Sequence, residues 1–165
     1  MCRVADAAFA PEVGSVAAAR RFVSETVARW DLAPLREDAL LLTSELVTNA
    51  LVHAGAGPRV RMAVAGGTLE IGVEDGRPVA LTSLEPRRER LTDLSADGGR
   101  GLYLVDLISS EWGVAPIGTG KEIWFRLAAV GWTFRRDCTC ADRTRDAVDL
   151  PSGLRSVPIP GPWDT

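Results

Sequence analysis

The sequence predicts an α+β two-layer sandwich. Apolar residues recur at helical spacing over two N-terminal segments and one later segment. Other segments alternate apolar with polar or small residues, as half-buried strands do. Glycine turns join those alternating segments in pairs, so neighbouring strands run antiparallel and the helices can cover one face of the sheet.

Each element has its own reason. Ala5 to Ala10 reads as a short edge strand ended by Pro11. From Glu12 to Trp30, the residues Val16, Phe22, Val23, Val27 and Trp30 recur at roughly helical spacing, with Arg20, Arg21 and Arg29 between them. This is the first expected helix. Asp31 to Pro34 is the turn, and Pro34 suits the first position of the next helix. Leu35 to Ala54 is the second helix. Leu40, Val47 and Leu51 cluster on one side of it and Leu41, Leu42, Leu46 and Val52 on the other. A helix apolar nearly all round is expected to be sandwiched. Arg59 to Ala65 and Thr68 to Glu74 alternate and are joined by Gly66-Gly67, a hairpin. Residues 79–98 show no period and read as a long loop. Gly101 to Ser110 is a third helix. Glu111 to Ala115 and Glu122 to Ala128 form a second hairpin around Gly118 and Gly120. The expected sheet is mixed and mostly antiparallel. Residues 1–130 form the expected domain, and the proline-bearing residues 131–165 a flexible C-terminal tail.

Composition excludes several classes of function. Hydrophobic residues at 46% and charged residues at 25% are ordinary globular values, which rules out wholesale disorder. A net charge of -3 argues against direct nucleic-acid binding through bulk charge. The only lysine is Lys121. Cys2, Cys138 and Cys140 are no disulfide framework, and the only histidine, His53, lies far from the cysteine pair, against a zinc site. No apolar run is long enough to span a membrane, and residues 1–11 lack the features of a secretory signal. A cytoplasmic location is expected.

Four constellations carry chemistry. In the second helix, Glu45 and Asn49 lie one turn apart, and His53 continues their stripe among leucines. A carboxylate there can accept a proton, and an amide oxygen can ligate a hard cation. A structural polar pair has the same pattern, and His53 reads better as a hydrogen-bonded structural residue. Asp75-Gly76 ends a strand, as a turn or as an acceptor lining a pocket. Gly98-Gly99-Arg100-Gly101-Leu102 precedes an apolar helix, where backbone N–H groups can meet an anion. Gly118-Thr119-Gly120-Lys121-Glu122 has a phosphate-loop flavour but lacks that loop's first glycine and its hydroxyl residue after the lysine. Lys121 reads as a solvated strand residue.

In this order and spacing, the four resemble the ATP-binding boxes of the GHKL superfamily. The small stand-alone branch, anti-sigma factor serine kinases and their actinobacterial histidine kinase-like relatives, is the most similar. Ser44-Glu45-Leu46-Val47-Thr48-Asn49-Ala50 resembles the N box, Asp75-Gly76 the start of the G1 box, and Gly98-Gly99-Arg100-Gly101-Leu102 the G2 box. Gly120 to Phe125 resembles the closing strand, and the likeness covers about residues 5–128. The resemblance implies a Bergerat-type ATP-binding fold with ATP and Mg²⁺ as cofactors. It implies Glu45 as general base and Asn49 as the Mg²⁺ ligand. Asp75 would accept the adenine amino group beside Gly76. Gly99 and Gly101 would offer N–H groups to phosphate, with Arg100 and Leu102 beside them, under a lid of residues 79–98. Two departures stand out: Arg77-Pro78 follow Gly76 where G1 boxes carry a later glycine, and Lys121-Glu122 stand where a Thr is common.

The implied activity is that of a serine/threonine protein kinase that phosphorylates a small antagonist protein in an anti-sigma switch. The implied partners are a sigma factor and a STAS-type anti-anti-sigma protein, with homodimerisation through the N-terminal strand and first helix. The alternative is an ATP-dependent binding module that sequesters a partner without phosphotransfer.

Overall fold

The computed structural model describes residues 3–54, 57–76 and 99–128. The expected lid at 79–98, the tail with Cys138 and Cys140, Trp132 and Trp163, and the side chains of His53 and Arg100 lie outside them. The order is β1 (Arg3–Ala8), α1 (Gly14–Arg29), a 3-10 turn (Ala33–Leu35), α2 (Arg36–Ala54), β2 (Arg59–Ala65), β3 (Thr68–Asp75), α3 (Gly99–Ile108), β4 (Glu111–Ile117) and β5 (Gly120–Ala128). The strands form one sheet in the order β1-β2-β3-β5-β4. All four ladders are antiparallel. The fold is the expected α+β sandwich.

Local chemistry sets the boundaries. The Ser15 hydroxyl donates to the Ala10 carbonyl at 2.6 Å and anchors the start of α1. At its end the Trp30 N–H donates to Thr26, and Asp31 takes a left-handed conformation that turns the chain. Pro34 sits in the 3-10 turn rather than in the first turn of α2. The second hairpin is longer than its alternation indicated. Its strands run on to Ile117 and from Gly120, because the turn between them is only two residues long.

The core lies between sheet and helices. Val60, Met62 and Val64 of β2, Leu69, Ile71 and Val73 of β3, and Phe125 and Leu127 of β5 are buried on one face. Ala19, Val23 and Val27 of α1 and Leu42, Leu46 and Val47 of α2 are buried with them in the same cluster. Each such Leu, Ile or Phe contributes about 1.5–3 kcal/mol by leaving water. Helix α2 packs against α1, β3, β5 and α3. It is not covered on every side, as its composition led one to expect. Leu41 is 39% exposed and Val52 is 70% exposed, because a fourth side of α2 has no described neighbour.

The opposite face of the sheet carries charge. The Arg126 guanidinium donates to Glu70 at 2.7 Å and also to Glu111, and lies 5.0 Å from the Trp124 ring centre. Burial lowers the Arg126 pKa, but its hydrogen bonds to Glu70 and Glu111 and their negative charges outweigh burial and raise it above the usual value. Trp124 lies over Gly113, where a side-chain carbon would fall within 2.7 Å of the indole.

Thr43 is fully buried, and its hydroxyl has no hydrogen-bond partner. A buried hydroxyl without a partner destabilises the fold. Thr43→Val keeps the shape and removes the hydroxyl. It is expected to raise stability by about 1 kcal/mol, read as a higher urea midpoint at unchanged slope.

Candidate functional site

The site is built where α2 meets the first turn of α3. Glu45 and Asn49 leave adjacent turns of α2 on one side, and both are half-buried. The other polar residues of that stretch are tied to the helices. The Ser44 hydroxyl donates to the Leu40 carbonyl and receives a hydrogen bond from Arg20 of α1 at 2.6 Å. The Thr48 hydroxyl donates to the Ser44 carbonyl at 2.7 Å. Glu45 and Asn49 face α3 instead.

Gly101 shows how closely the two helices approach. It is buried, and a Cβ on it would lie 2.7 Å from Asn49 Nδ2, 3.3 Å from Glu45 Cβ and 3.5 Å from Glu45 Oε2. Real Cβ atoms do not come within 3.0 Å of such an atom, so only glycine fits without a shift. Helix α3 begins at Gly99, so the N–H groups of its first turn have no partner within the helix. They form the positive end of the helix dipole. A carboxylate, a carboxamide and an anion-attracting helix start are thus brought together.

Leu102, the next residue, is half-buried and packs against the core. Gly99 and Arg100 lie in the first turn of α3.

The second group of candidate residues lies at the end of β3. Asp75 shares the helix-side face of the sheet with Leu69, Ile71 and Val73, by strand parity. Its side chain is only 8% exposed. Gly76 follows it and is exposed. Gly120 packs so closely against the Asp75 carbonyl and the Gly76 Cα that any side chain there would collide with backbone.

Lys121 corrects the sequence reading. It is paired with Asp75 across the β3–β5 ladder, Nζ to Oδ2 at 3.3 Å, and its side chain is 25% exposed. It is not a solvated strand residue. The sign of this was present in the sequence: Lys121 has the same parity as Ile123, Phe125 and Leu127, which face the helices. Strand parity here outweighs lysine's usual preference for solvent.

The donors fit a hard cation held mainly by a ligand. Among the described residues, no three of His, Cys, Asp and Glu cluster as a metal site. Mg²⁺ commonly takes one or two protein oxygens and completes its shell with phosphate and water. Asn49, set beside the start of α3, suits that arrangement. No described helix is long and apolar enough to cross a membrane.

No curated protein matches the chain. The histidine kinase-like ATPase domain family matches residues 9–127. That stretch opens just after β1, closes within β5, and contains α1, α2, α3, Glu45, Asn49, Asp75, Gly101 and Lys121. The chain therefore belongs to the histidine kinase-like ATPase domain family, and the candidate residues of α2, β3 and α3 lie within the matched stretch.

Proposed function

We propose that this protein is an ATP–Mg²⁺-dependent serine/threonine kinase acting as an anti-sigma-type switch. The observation that carries the reading is the seating of Glu45 and Asn49 against Gly101, at the start of α3. The phosphates would lie at that helix start, held by backbone N–H groups of Gly99 and Gly101. Asn49 would hold the Mg²⁺, which when bound supplies positive charge to the phosphate oxygens.

Glu45 is half-buried and faces the same place. There it can accept the proton of a serine or threonine hydroxyl as the hydroxyl oxygen attacks the terminal phosphorus. The bond to the bridging oxygen breaks and ADP leaves with the electron pair. Asp75 would accept the amino group of the base, with Gly76 leaving room for the ring. The motif resemblance further supports a small antagonist protein of the STAS type as phosphate acceptor, a sigma factor as second partner, homodimerisation and a cytoplasmic location.

A second reading is an ATP-dependent binding module without phosphotransfer. The Lys121–Asp75 ion pair favours it, because the base end departs from the motif pattern while the phosphate end keeps it. The same substitution separates the two. Glu45→Gln is expected to abolish phosphoserine or phosphothreonine formation on a paired antagonist, a loss of at least about 100-fold, with ATP affinity kept within a few-fold. Radiolabelled ATP and calorimetric titration check this. Absence of transfer by the unaltered protein with a bound antagonist would sink the kinase reading.

Gly101→Ala tests the phosphate end. The added methyl must push Asn49 away, so ATP–Mg²⁺ affinity is expected to fall about tenfold or more. The overpacking cost of about 1–3 kcal/mol is partly offset by about 1 kcal/mol of helix propensity. The net cost of about 0–2 kcal/mol lowers the melting temperature by no more than about 10 °C, so the protein stays folded in the calorimetric titration, where affinity changes strongly.

A further inference from the structure

We infer that Lys121 is a base-reading residue that works with Asp75, donating a hydrogen bond to a ring nitrogen of the bound adenine. This rests on the reading of the site as one for ATP and adds a specificity-determining residue to it.

The two side chains stand opposite each other on neighbouring strands, on the helix-side face of the sheet. They differ in what they offer. An ionised carboxylate only accepts hydrogen bonds, and an ammonium only donates them, through three N–H groups. At 3.3 Å from Oδ2 the ammonium uses one donor on Asp75. Together they form an acceptor–donor pair on the helix-side face of the sheet, at the end of β3. Adenine presents the complementary edge: its exocyclic amino group donates, and the ring nitrogens on either side of it, N1 and N7, accept. When the amino group meets Asp75, a flanking nitrogen comes beside Lys121.

The surroundings favour an exact reading over a loose one. Asp75 is nearly buried and Lys121 is three-quarters buried, so neither group is fully served by water. Gly120, next to Lys121, lets the β5 backbone lie tight against the Asp75 carbonyl and fixes the height of the lysine relative to the carboxylate. Hydrogen bonds that involve a charged partner and are shielded from water are stronger than neutral, exposed ones. A lysine that served only to hold Asp75 would be insensitive to which ring nitrogen the nucleotide carries. A base-reading lysine is sensitive to it.

The test is a cycle between protein and ligand, with full-length protein and calorimetric titration of ATP, 1-deaza-ATP and 7-deaza-ATP in the presence of Mg²⁺. Unaltered protein is expected to bind one of the two deaza nucleotides about tenfold more weakly than ATP. In Lys121→Met that penalty should disappear, with ATP itself falling to the level of the deaza compound. Lys121→Arg keeps the positive charge beside Asp75 and serves in the cycle if Lys121→Met does not fold. It should shrink the penalty, since a planar fork cannot occupy the ammonium position. Equal affinity of the unaltered protein for all three nucleotides overturns the assignment without any variant. So does a penalty that persists undiminished in the variants. Failure of the unaltered protein to bind ATP at all overturns the nucleotide reading itself, and the Lys121 assignment with it.

Discussion

The close approach of α3 to α2 is the constraint on which the site depends. A helix start carries unpaired N–H groups and a positive field. Placed against an apolar helix side, those groups would be stranded. Here the first turn of α3 lies against Glu45 and Asn49 at Gly101, where the absence of a side chain allows the helices to come that near. The polar stripe on α2 has the same logic from the other side. Its Glu45 and Asn49 are half-buried where α3 lies against them, and they are tolerable there because the covering element is itself polar at its tip.

The rest of the fold serves to hold α2 in place. Helix α1 packs along it, and Arg20 reaches across to the Leu40 carbonyl and to the hydroxyl of Ser44, the residue just before Glu45. The sheet supports it from below through Leu69, Ile71, Val73 and Phe125. On the far face, Arg126 joins Glu70, Glu111 and Trp124 across three strands, so β3, β4 and β5 are linked on both faces. The strand end that carries Asp75 is part of this rigid layer. Asp75 is therefore placed by the sheet and Asn49 by the helix, and the packing of α2 over β3 relates the two.

Much of this was legible in the residues. Helical and alternating periods located all three described helices and the four strands of the two hairpins, because one-sided burial leaves a period in the sequence. The pair Glu45 and Asn49 was legible as an i, i+4 stripe, and Asp75-Gly76 as a strand end. Strand and helix ends were read less well. Terminal residues are fixed by hydrogen bonds such as Ser15 to Ala10, which leave no period behind. The exposure of Leu41 and Val52 could not be read either, since composition does not say how many neighbours a helix has.

The sequence by itself determined which elements form, which face each buries and which polar residues interrupt the apolar pattern. These follow from periodicity, a property of single segments. Only the tertiary structure decided that Gly101 lies against Asn49 and that Lys121 pairs with Asp75. Both contacts join residues far apart in the chain, and both depend on distances of a few ångströms between separate elements. Lys121 makes the difference plain. Its parity placed it on the helix-side face, yet which carboxylate it would meet was set by the β3–β5 register, and that register exists only once the sheet has formed.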